Sequence, residues 1–107
     1  MPMVVNVTSR FGSIVRCANG EFRGLYSYSI AKCAQNMLTA CLDQELRREG
    51  IRVFAVHPGR LRTSVAAVDA DTEPRVAAVK LAEWVESVDR NADCGLYDLM
   101  GGGVLPW

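Results

Sequence analysis

The sequence carries no excess of charge of either sign. Its 107 residues include 12 Lys and Arg and 12 Asp and Glu, so the formal net charge at neutral pH is zero. Proteins that bind nucleic acid or an anionic membrane concentrate basic residues on one surface, and this composition provides no such electrostatic footprint. We therefore predict that neither nucleic acid nor a membrane surface is a partner.

Long hydrophobic runs and metal-binding motifs are also missing. No apolar stretch approaches the ~20 residues that a membrane-spanning helix needs. Cys17, Cys33, Cys41 and Cys94 form no C-x-x-C pair, and the lone His57 is typical of a structural residue, so we predict no metal site. The sequence shows no signal peptide, and such cysteines are typical of buried thiols in a reducing compartment. We expect a cytoplasmic protein.

The hydrophobic pattern predicts alternating strands and helices. Half of the residues are hydrophobic, which indicates one packed domain. Apolar runs favour buried strands, and a helical period between them favours an α/β fold with a parallel sheet. The predicted elements are a strand at 3–8, a loop at 9–24, a helix at about 27–49 ended by Gly50, a strand at 51–56, a loop at 59–70, a helix to about Ser87, a strand at 95–100, and a glycine turn followed by an apolar tail.

Both predicted helices carry an apolar stripe. The second helix should be capped by Asp71 or Thr72, with Pro74 in its first turn, where a missing N–H costs little. The stripe of the first helix consists of Ile30, Cys33, Ala34, Met37, Leu38, Cys41, Leu42 and Leu46. That of the second consists of Val76, Val79, Leu81, Trp84, Val85 and Val88.

A phenol and an ammonium stand four residues apart where the first helix opens, at Tyr28 and Lys32. On a helix this spacing brings the two Cβ atoms to roughly 5–6 Å. A cation beside a phenol favours the phenolate and lowers its pKa, which suits proton transfer near neutral pH. The pair alone is more typical of a solvent-facing Lys beside a half-buried Tyr, so the flanking segments must decide.

Three segments together resemble the short-chain dehydrogenase/reductase family. Residues 4–12 are similar to the family's strand that ends in Asn-x-Ser-Ser before a glycine, with Ser9 at the catalytic position. Tyr28 and Lys32 match its Tyr-x-x-x-Lys motif, and residues 58–63 match its Pro-Gly-x-x-x-Thr turn. The long loop before Tyr28 and the ending Leu-Pro-Trp resemble the carbonyl-reductase-like or Sniffer-like branch.

The resemblance implies an NAD(P)-dependent oxidoreductase that acts on a small carbonyl or alcohol substrate. Tyr28 would be the general acid or base, Lys32 would lower the pKa of Tyr28 and bind the ribose, and Ser9 would orient the substrate. The cofactor, NAD or NADP, would contact Tyr28, Lys32, Pro58, Gly59, Leu61 and Thr63. Family members also pair through the helix at 27–49, and its small residues Ala31, Ala34 and Ala40 would permit close approach in a homodimer. The open alternative is that the same three residues only pack on the sheet.

The family's pyrophosphate-binding turn, Thr-Gly-x-x-x-Gly-x-Gly, has no counterpart in these residues. Residues 1–107 therefore resemble a partial domain, the catalytic C-terminal half of a Rossmann-like doubly wound sheet without its dinucleotide-binding half. One hypothesis is a fragment of an oxidoreductase, inactive by itself. The alternatives are a non-catalytic half-fold that serves as an interaction or pseudoenzyme module, and an active half that completes its sheet with another chain.

Overall fold

A computed structural model describes residues 2–61 and 72–107, which form one four-stranded sheet flanked by helices. Short 3-10 turns lie at Arg10–Gly12 and Arg47–Glu49. The strands and helices are β1 (Met3–Val7), α1 (Ile14–Ala18), α2 (Tyr26–Leu46), β2 (Arg52–His57), α3 (Pro74–Ser87), β3 (Leu96–Asp98) and β4 (Val104–Leu105).

The sheet has the order β1-β2-β3-β4 and is mostly parallel. β1 pairs with β2 in parallel, with Met3 opposite Arg52, and β2 pairs with β3 in parallel, with Ala55 opposite Leu96. Parallel neighbours need a crossover connection, which α2 and α3 provide. The predicted α/β class and the parallel pairing of the first two strands are confirmed.

β4 is an antiparallel edge strand that the sequence did not predict. Gly102 and Gly103 have φ values of 77° and 78°, a left-handed conformation that glycine adopts without penalty. The N–H of Asp98 donates to the carbonyl of Gly103 at 3.0 Å, which folds the chain back along β3. The sequence pattern predicted the glycine turn but described the residues after it as an apolar tail. The strand was missed because two residues are too few to show an alternation of apolar and polar side chains.

β2 is the central strand and is buried along its whole length. Ala55 stands opposite Asn6 and so faces the same side of the sheet, where the Asn6 amide donates to the Thr39 hydroxyl of α2 at 2.9 Å. Phe54 faces the other side, because successive side chains alternate between the faces. There its ring meets that of Trp84 in α3, with centroids 5.6 Å apart. Helices therefore cover both faces, as buried parallel strands require.

The extent of α2 agrees with the sequence, but its buried face does not. The helix continues as a 3-10 turn to Glu49, and Gly50, with φ of 78°, ends it as predicted. Asn36, Thr39 and Asp43 are the buried residues, whereas much of the predicted apolar stripe is exposed. The exposed fractions of Ile30, Met37 and Leu38 are 66%, 65% and 52%. An apolar stripe of a surface helix normally faces the core, and these three residues do not.

A buried ion pair joins the end of α2 to the start of β2. The Asp43 carboxylate accepts hydrogen bonds from Arg52 Nε at 3.0 Å and from the N–H of Val53 at 2.8 Å, and a further one from Arg47. Arg52 also donates to the carbonyls of Arg90 and Ala92. Burial works to raise the pKa of Asp43, but these hydrogen bonds outweigh it, so the pKa lies below its ordinary value. The carboxylate is therefore ionised and structural.

Residues 9–24 contain more regular structure than the predicted loop. The Ser9 hydroxyl caps the 3-10 turn Arg10–Gly12, and the Ser13 hydroxyl caps α1 by accepting from the N–H of Arg16 at 3.2 Å. Serine is a strong N-cap residue, because its side chain satisfies an N–H that has no partner within the helix. The sequence predicted a loop here because the glycines of this segment are typical of turns, so the short helix α1 was missed.

The N-cap of α3 lies one residue after Thr72, the later of the two predicted caps. Pro74 is in the first turn as expected, but the N-cap residue is Glu73 and no side chain caps the helix. Thr72 instead forms an isolated parallel bridge with Leu61, and Asp71 lies outside the described residues. The prediction that the stripe of α3 is buried is wrong for Val76 and Val79, which are exposed. The other four residues of the stripe are half-buried, and the buried residue of α3 is Ala77, which lies outside the stripe.

The cysteines are less buried than predicted. Cys17 and Cys41 are exposed, and Cys33 and Cys94 are half-buried. All four are free thiols. In the described ranges, no helix has the length and apolar character to cross a membrane.

Candidate active site

Ser9 lies at the carboxyl end of β1, the edge where ligands bind in open α/β sheets. Its side chain is buried, and its hydroxyl oxygen accepts the N–H of Phe11 at 3.1 Å. This hydrogen bond uses an oxygen lone pair and leaves the hydroxyl proton available to donate. Ser9 is thus held in place by the turn that it caps.

Tyr28 and Lys32 occupy the first two turns of α2 and share one face of the helix. The Lys32 ammonium is 5.6 Å from the centre of the Tyr28 ring, so the neighbour relation predicted from their spacing is present. Lys32 Nζ also donates to Gln35 Oε1 at 3.3 Å. The Gln35 amide in turn donates to the carbonyl of Val7 at 3.1 Å, which ties the lysine to the end of β1.

Phe11 joins the Ser9 turn to the tyrosine. Its ring packs edge-on against Tyr28 at a centroid distance of 6.1 Å. Gly12 lies so close to α2 that a Cβ there would stand 2.7 Å from the backbone carbon of Lys32. Only glycine permits this approach, because real Cβ contacts are longer. The turn after β1 is therefore packed directly on the helix that carries the Tyr-Lys pair.

The second predicted loop meets the same edge of the sheet. β2 ends at His57, whose Nδ1 accepts the N–H of Arg10 at 3.1 Å. This contact agrees with the structural role expected of a lone histidine. Pro58 and Gly59 follow, and Leu61 bridges to Thr72. Pro58, Gly59 and Leu61 thus follow the strand next to the one that Ser9 follows, whereas Thr63 lies outside the described residues.

Gly59 fixes the path of this loop. Its φ is +98°, and a Cβ at this position would stand 2.6 Å from the hydroxyl oxygen of Thr72. Both the left-handed backbone and the close contact require glycine. The N–H of Thr72 also donates to the carbonyl of Arg60 at 2.9 Å, so the two ends of the segment 60–72 are joined.

Two residues that the sequence did not single out contribute to this edge, Arg10 and Phe11. They lie inside the Ser-x-x-Gly segment, where attention went to the hydroxyl and the glycine. The sequence feature that could have indicated them is a basic and an aromatic residue placed between Ser9 and Gly12, two motif residues at the end of a strand. The described residues contain no group of three or more His, Cys, Asp or Glu side chains that could hold a metal ion.

The other tyrosines lack a cation neighbour at helical spacing. Tyr26 is 80% exposed and its residue at i+4 is Ile30, whereas Tyr28 is 47% exposed. The Tyr97 hydroxyl donates to the carbonyl of Asp93 at 2.6 Å, and burial raises the pKa of Tyr97. Tyr28 is therefore the candidate for proton transfer.

Comparison with known proteins identifies the family. The sequence model of the short chain dehydrogenase family matches residues 3–74. The chain belongs to this family. C-signal from Myxococcus xanthus is 31% identical over 105 residues, covering 97% of this chain and 60% of its own length. The 1-hydroxy-2-glutathionyl-2-methyl-3-butene dehydrogenase of Rhodococcus sp. (strain AD45) is 39% identical over 105 residues, covering 94% of this chain and 45% of its own length.

Solved structures of carbonyl reductases share the fold. Carbonyl reductase Sniffer of D. melanogaster superimposes with a TM-score of 0.85 at 23% identity, covering 98% of this chain and 41% of that one. A carbonyl reductase from Pseudomonas aeruginosa PAO1 has a TM-score of 0.76 at 25% identity, covering 98% and 43%. The chain thus spans about half the length of the relatives and structures that it matches.

Proposed function

We propose that this chain provides the catalytic half of an NAD(P)-dependent oxidoreductase that interconverts a carbonyl and an alcohol. The observation that carries the proposal is the Lys32 ammonium, 5.6 Å from the Tyr28 ring, on a helix packed against the Ser9 turn. The Rhodococcus relative, which is 39% identical, is a dehydrogenase by name. This chain spans 45% of the length of that protein. We therefore propose the activity for a protein in which further residues complete the site.

The donors at this edge fit the nicotinamide end of such a cofactor. Lys32 and Tyr28 are hydrogen-bond donors on one helix face, and ribose hydroxyls are good acceptors for both. Leu61, through its backbone, and Thr63 would hold the carboxamide of the ring, and Pro58 and Gly59 would also contact the cofactor. When bound, the nicotinamide supplies or accepts the hydride.

The chain's own residues would manage the proton and the position of the substrate. Ser9 donates its hydroxyl proton in a hydrogen bond to the substrate oxygen and orients it. Tyr28 then delivers its phenolic proton to that oxygen during reduction, or removes the proton in the reverse direction. Lys32 stabilises the negative charge that develops on the Tyr28 oxygen, because its ammonium stands beside the ring.

The test is the substitution Tyr28→Phe in the full-length or complemented protein, with Tyr26→Phe as the matched control. Both remove one phenolic hydroxyl from neighbouring positions of α2. Tyr28→Phe should lower kcat by about 10²- to 10⁴-fold, the usual contribution of a general acid or base, at unchanged melting temperature. Tyr26→Phe should leave kcat as it is. Full activity of Tyr28→Phe would contradict the proposal.

A second candidate function is a non-catalytic interaction module. C-signal, 31% identical with 60% of its length covered, is a signal by name, and β1 has a sheet neighbour on one side, β2, in the described residues. An unpaired edge of an apolar strand is a template for another chain. The same Tyr28→Phe experiment separates the two functions, because binding to a partner does not need a phenolic proton.

The exposed face of α2 supports a homodimer. Ile30, Met37 and Leu38 lie along it at helical spacing and are more than half exposed. A second copy of α2 would bury them, and the small residues Ala31 and Ala34 would permit close approach. We also infer a cytoplasmic location, supported by the four free thiols, two of them exposed, which suit a reducing compartment.

A further inference from the structure

The ammonium of Lys32 has two neighbours on the face of α2 that carries the Tyr-Lys pair. It lies 5.6 Å from the centre of the Tyr28 ring and donates to Gln35 Oε1 at 3.3 Å. Among residues 2–61 and 72–107, no carboxylate forms an ion pair with this ammonium. A lysine carries its charge on a flexible four-carbon stem and loses much rotamer freedom when that charge is fixed. The hydrogen bond to Gln35 is therefore the contact that opposes this loss and keeps the ammonium beside the phenol.

Two contacts select the same orientation of the Gln35 amide. Its Nε2 donates to the carbonyl of Val7 at 3.1 Å, and its Oε1 accepts from Lys32. Because a carbonyl only accepts and an ammonium only donates, either contact by itself requires the Oε1 atom to face the lysine. This oxygen is a neutral acceptor, so it holds the ammonium without adding a negative charge. The positive charge of Lys32 therefore remains available to the groups on which it acts.

The helical turn that carries both side chains is joined to β1 and to Thr8 directly after it. The Thr8 hydroxyl donates to the carbonyl of Lys32 in a long hydrogen bond of 3.5 Å. The Thr39 hydroxyl donates to the carbonyl of Gln35 at 2.9 Å. Thr39 is fully buried and accepts in turn from the amide of Asn6 in β1. A side chain positions another only when its own backbone is held rigidly, and Gln35 stands on such a backbone.

We propose that Gln35 is a positioning residue, which holds the ammonium of Lys32 where it acts on the Tyr28 oxygen and on the cofactor ribose. An ammonium has three N–H groups, and Gln35 accepts from one of them. The other two N–H groups suit the ribose hydroxyls and the phenol oxygen, so the hold does not compete with these contacts. The inference rests on the proposed function, and it assigns to the site a residue that lies outside the Tyr-x-x-x-Lys motif.

The kinetic test separates the hydrogen bond to Lys32 from the one to Val7. Gln35→Met keeps the length of the side chain and removes both bonds, whereas Gln35→Glu removes only the donor, because an ionised carboxylate still accepts. In the active protein, Gln35→Met should raise the KM of the cofactor and lower kcat by about 3- to 10-fold each. Gln35→Glu should lower kcat by a similar factor, because its carboxylate offsets the charge of the ammonium. It should leave the cofactor KM within about twofold, because the ammonium stays in place.

The matched control is Gln44→Met, since Gln44 is an exposed glutamine on the same helix, and it should leave both kinetic constants unchanged. Equal rises in the cofactor KM for Gln35→Met and Gln35→Glu would overturn the proposal. They would show that the bond to Val7 is the one that matters, and that Gln35 only joins α2 to β1. Unchanged kinetic constants in Gln35→Met would overturn it as well.

A measurement of side-chain order keeps this inference separate from the proposed function. NMR relaxation gives the order parameter of the Cε–H bonds of lysine on the ps–ns timescale. The signal of Lys32 is assigned by its loss in Lys32→Arg, and Lys80, on α3, serves as the internal reference. Gln35→Met should lower the order of Lys32 to that of Lys80, and Gln35→Glu should retain it.

This result would support the hold on Lys32 even if Tyr28→Phe proved fully active and the proposed function failed. An order parameter of Lys32 that does not change in Gln35→Met, or that falls equally in Gln35→Glu, would overturn the inference in an enzyme of any activity.

Discussion

Asp43 is the residue whose removal should cost most stability outside the candidate site. Replacing it with Asn leaves the guanidinium of Arg52 buried without a counter-charge, since Arg52 is 3% exposed. Breaking one side of a buried ion pair typically costs about 3–5 kcal/mol. We expect Asp43→Asn to lower the free energy of unfolding in urea by that amount. Glu45→Gln, an exposed carboxylate on the same helix, should change it by less than about 0.5 kcal/mol, and equal effects would contradict this account.

The same carboxylate makes stability depend on pH in a defined direction. The ordinary pKa of Asp43 is 3.8 and the folded chain lowers it, so the unfolded chain binds the proton more readily. The stabilisation is therefore complete above the unfolded value and is lost as the pH falls through the folded one. The difference in unfolding free energy between the wild type and Asp43→Asn should be constant from pH 7 to about 5 and should shrink below about 4. A difference that grows on acidification would refute the assignment.

At the residue scale, the motifs identified candidate site residues, but the contacts between them needed the structure. Ser9, Tyr28 and Lys32 could be named because each belongs to a spacing that carries chemistry. Arg10 and Phe11 could not, because a stacked cation and an edge-on aromatic contact depend on side-chain directions that spacing does not encode. Their placement follows from the tight approach of Gly12 to α2.

At the scale of the element, α2 shows that hydropathy can predict the extent of a helix and still not predict which face is buried. Its length and its end at Gly50 followed from periodicity and a left-handed glycine, both local properties. Its orientation depends on polar side chains satisfied across the sheet interface, Thr39 by Asn6 and Asp43 by Arg52. Buried polar groups are stable when paired, so Thr39 and Asp43 can face inwards and leave apolar residues outside. The amide of Asn36, the third buried residue of α2, has no hydrogen-bond partner within the described residues. A hydrophobicity scale assigns a value to each residue by itself, so it does not include hydrogen bonds to side chains on another element.

The exposed face of α2 gives a test of the homodimer. Replacing Ile30 and Met37 together with Gln should convert a dimer to a monomer in sedimentation velocity, because both side chains lose the apolar surface that a second copy would bury. The stability of the monomer should change by less than about 0.5 kcal/mol per site, as for other surface positions. Val79→Gln, an exposed valine on α3, is the control and should remain dimeric. A monomeric wild type, or a dimeric double variant, would exclude this interface.

At the scale of the whole molecule, the sheet explains which part of the architecture the sequence could predict. Two mostly apolar runs joined by a long helix leave a parallel crossover as the simple solution, and β1 and β2 follow it. The β3–β4 hairpin depends on a three-glycine turn and on pairing of only two residue pairs, which pattern reasoning does not detect. β1 lies at the end of the strand order, so one side of the strand has no sheet neighbour within the described residues.

The cofactor contacts that we assign to this chain involve only the nicotinamide end, and this predicts how residues 1–107 alone should bind nucleotides. The sequence has no glycine-rich turn for the pyrophosphate, so the adenosine half should add little binding energy. In calorimetric titrations we expect nicotinamide mononucleotide and NADP to bind within about threefold of each other, both with Kd above roughly 100 µM. ADP-ribose 2′-phosphate, which lacks nicotinamide, should give no heat of binding. Micromolar affinity of residues 1–107 for NADP would contradict this prediction. It would mean that these residues bind the pyrophosphate without the family's glycine-rich turn.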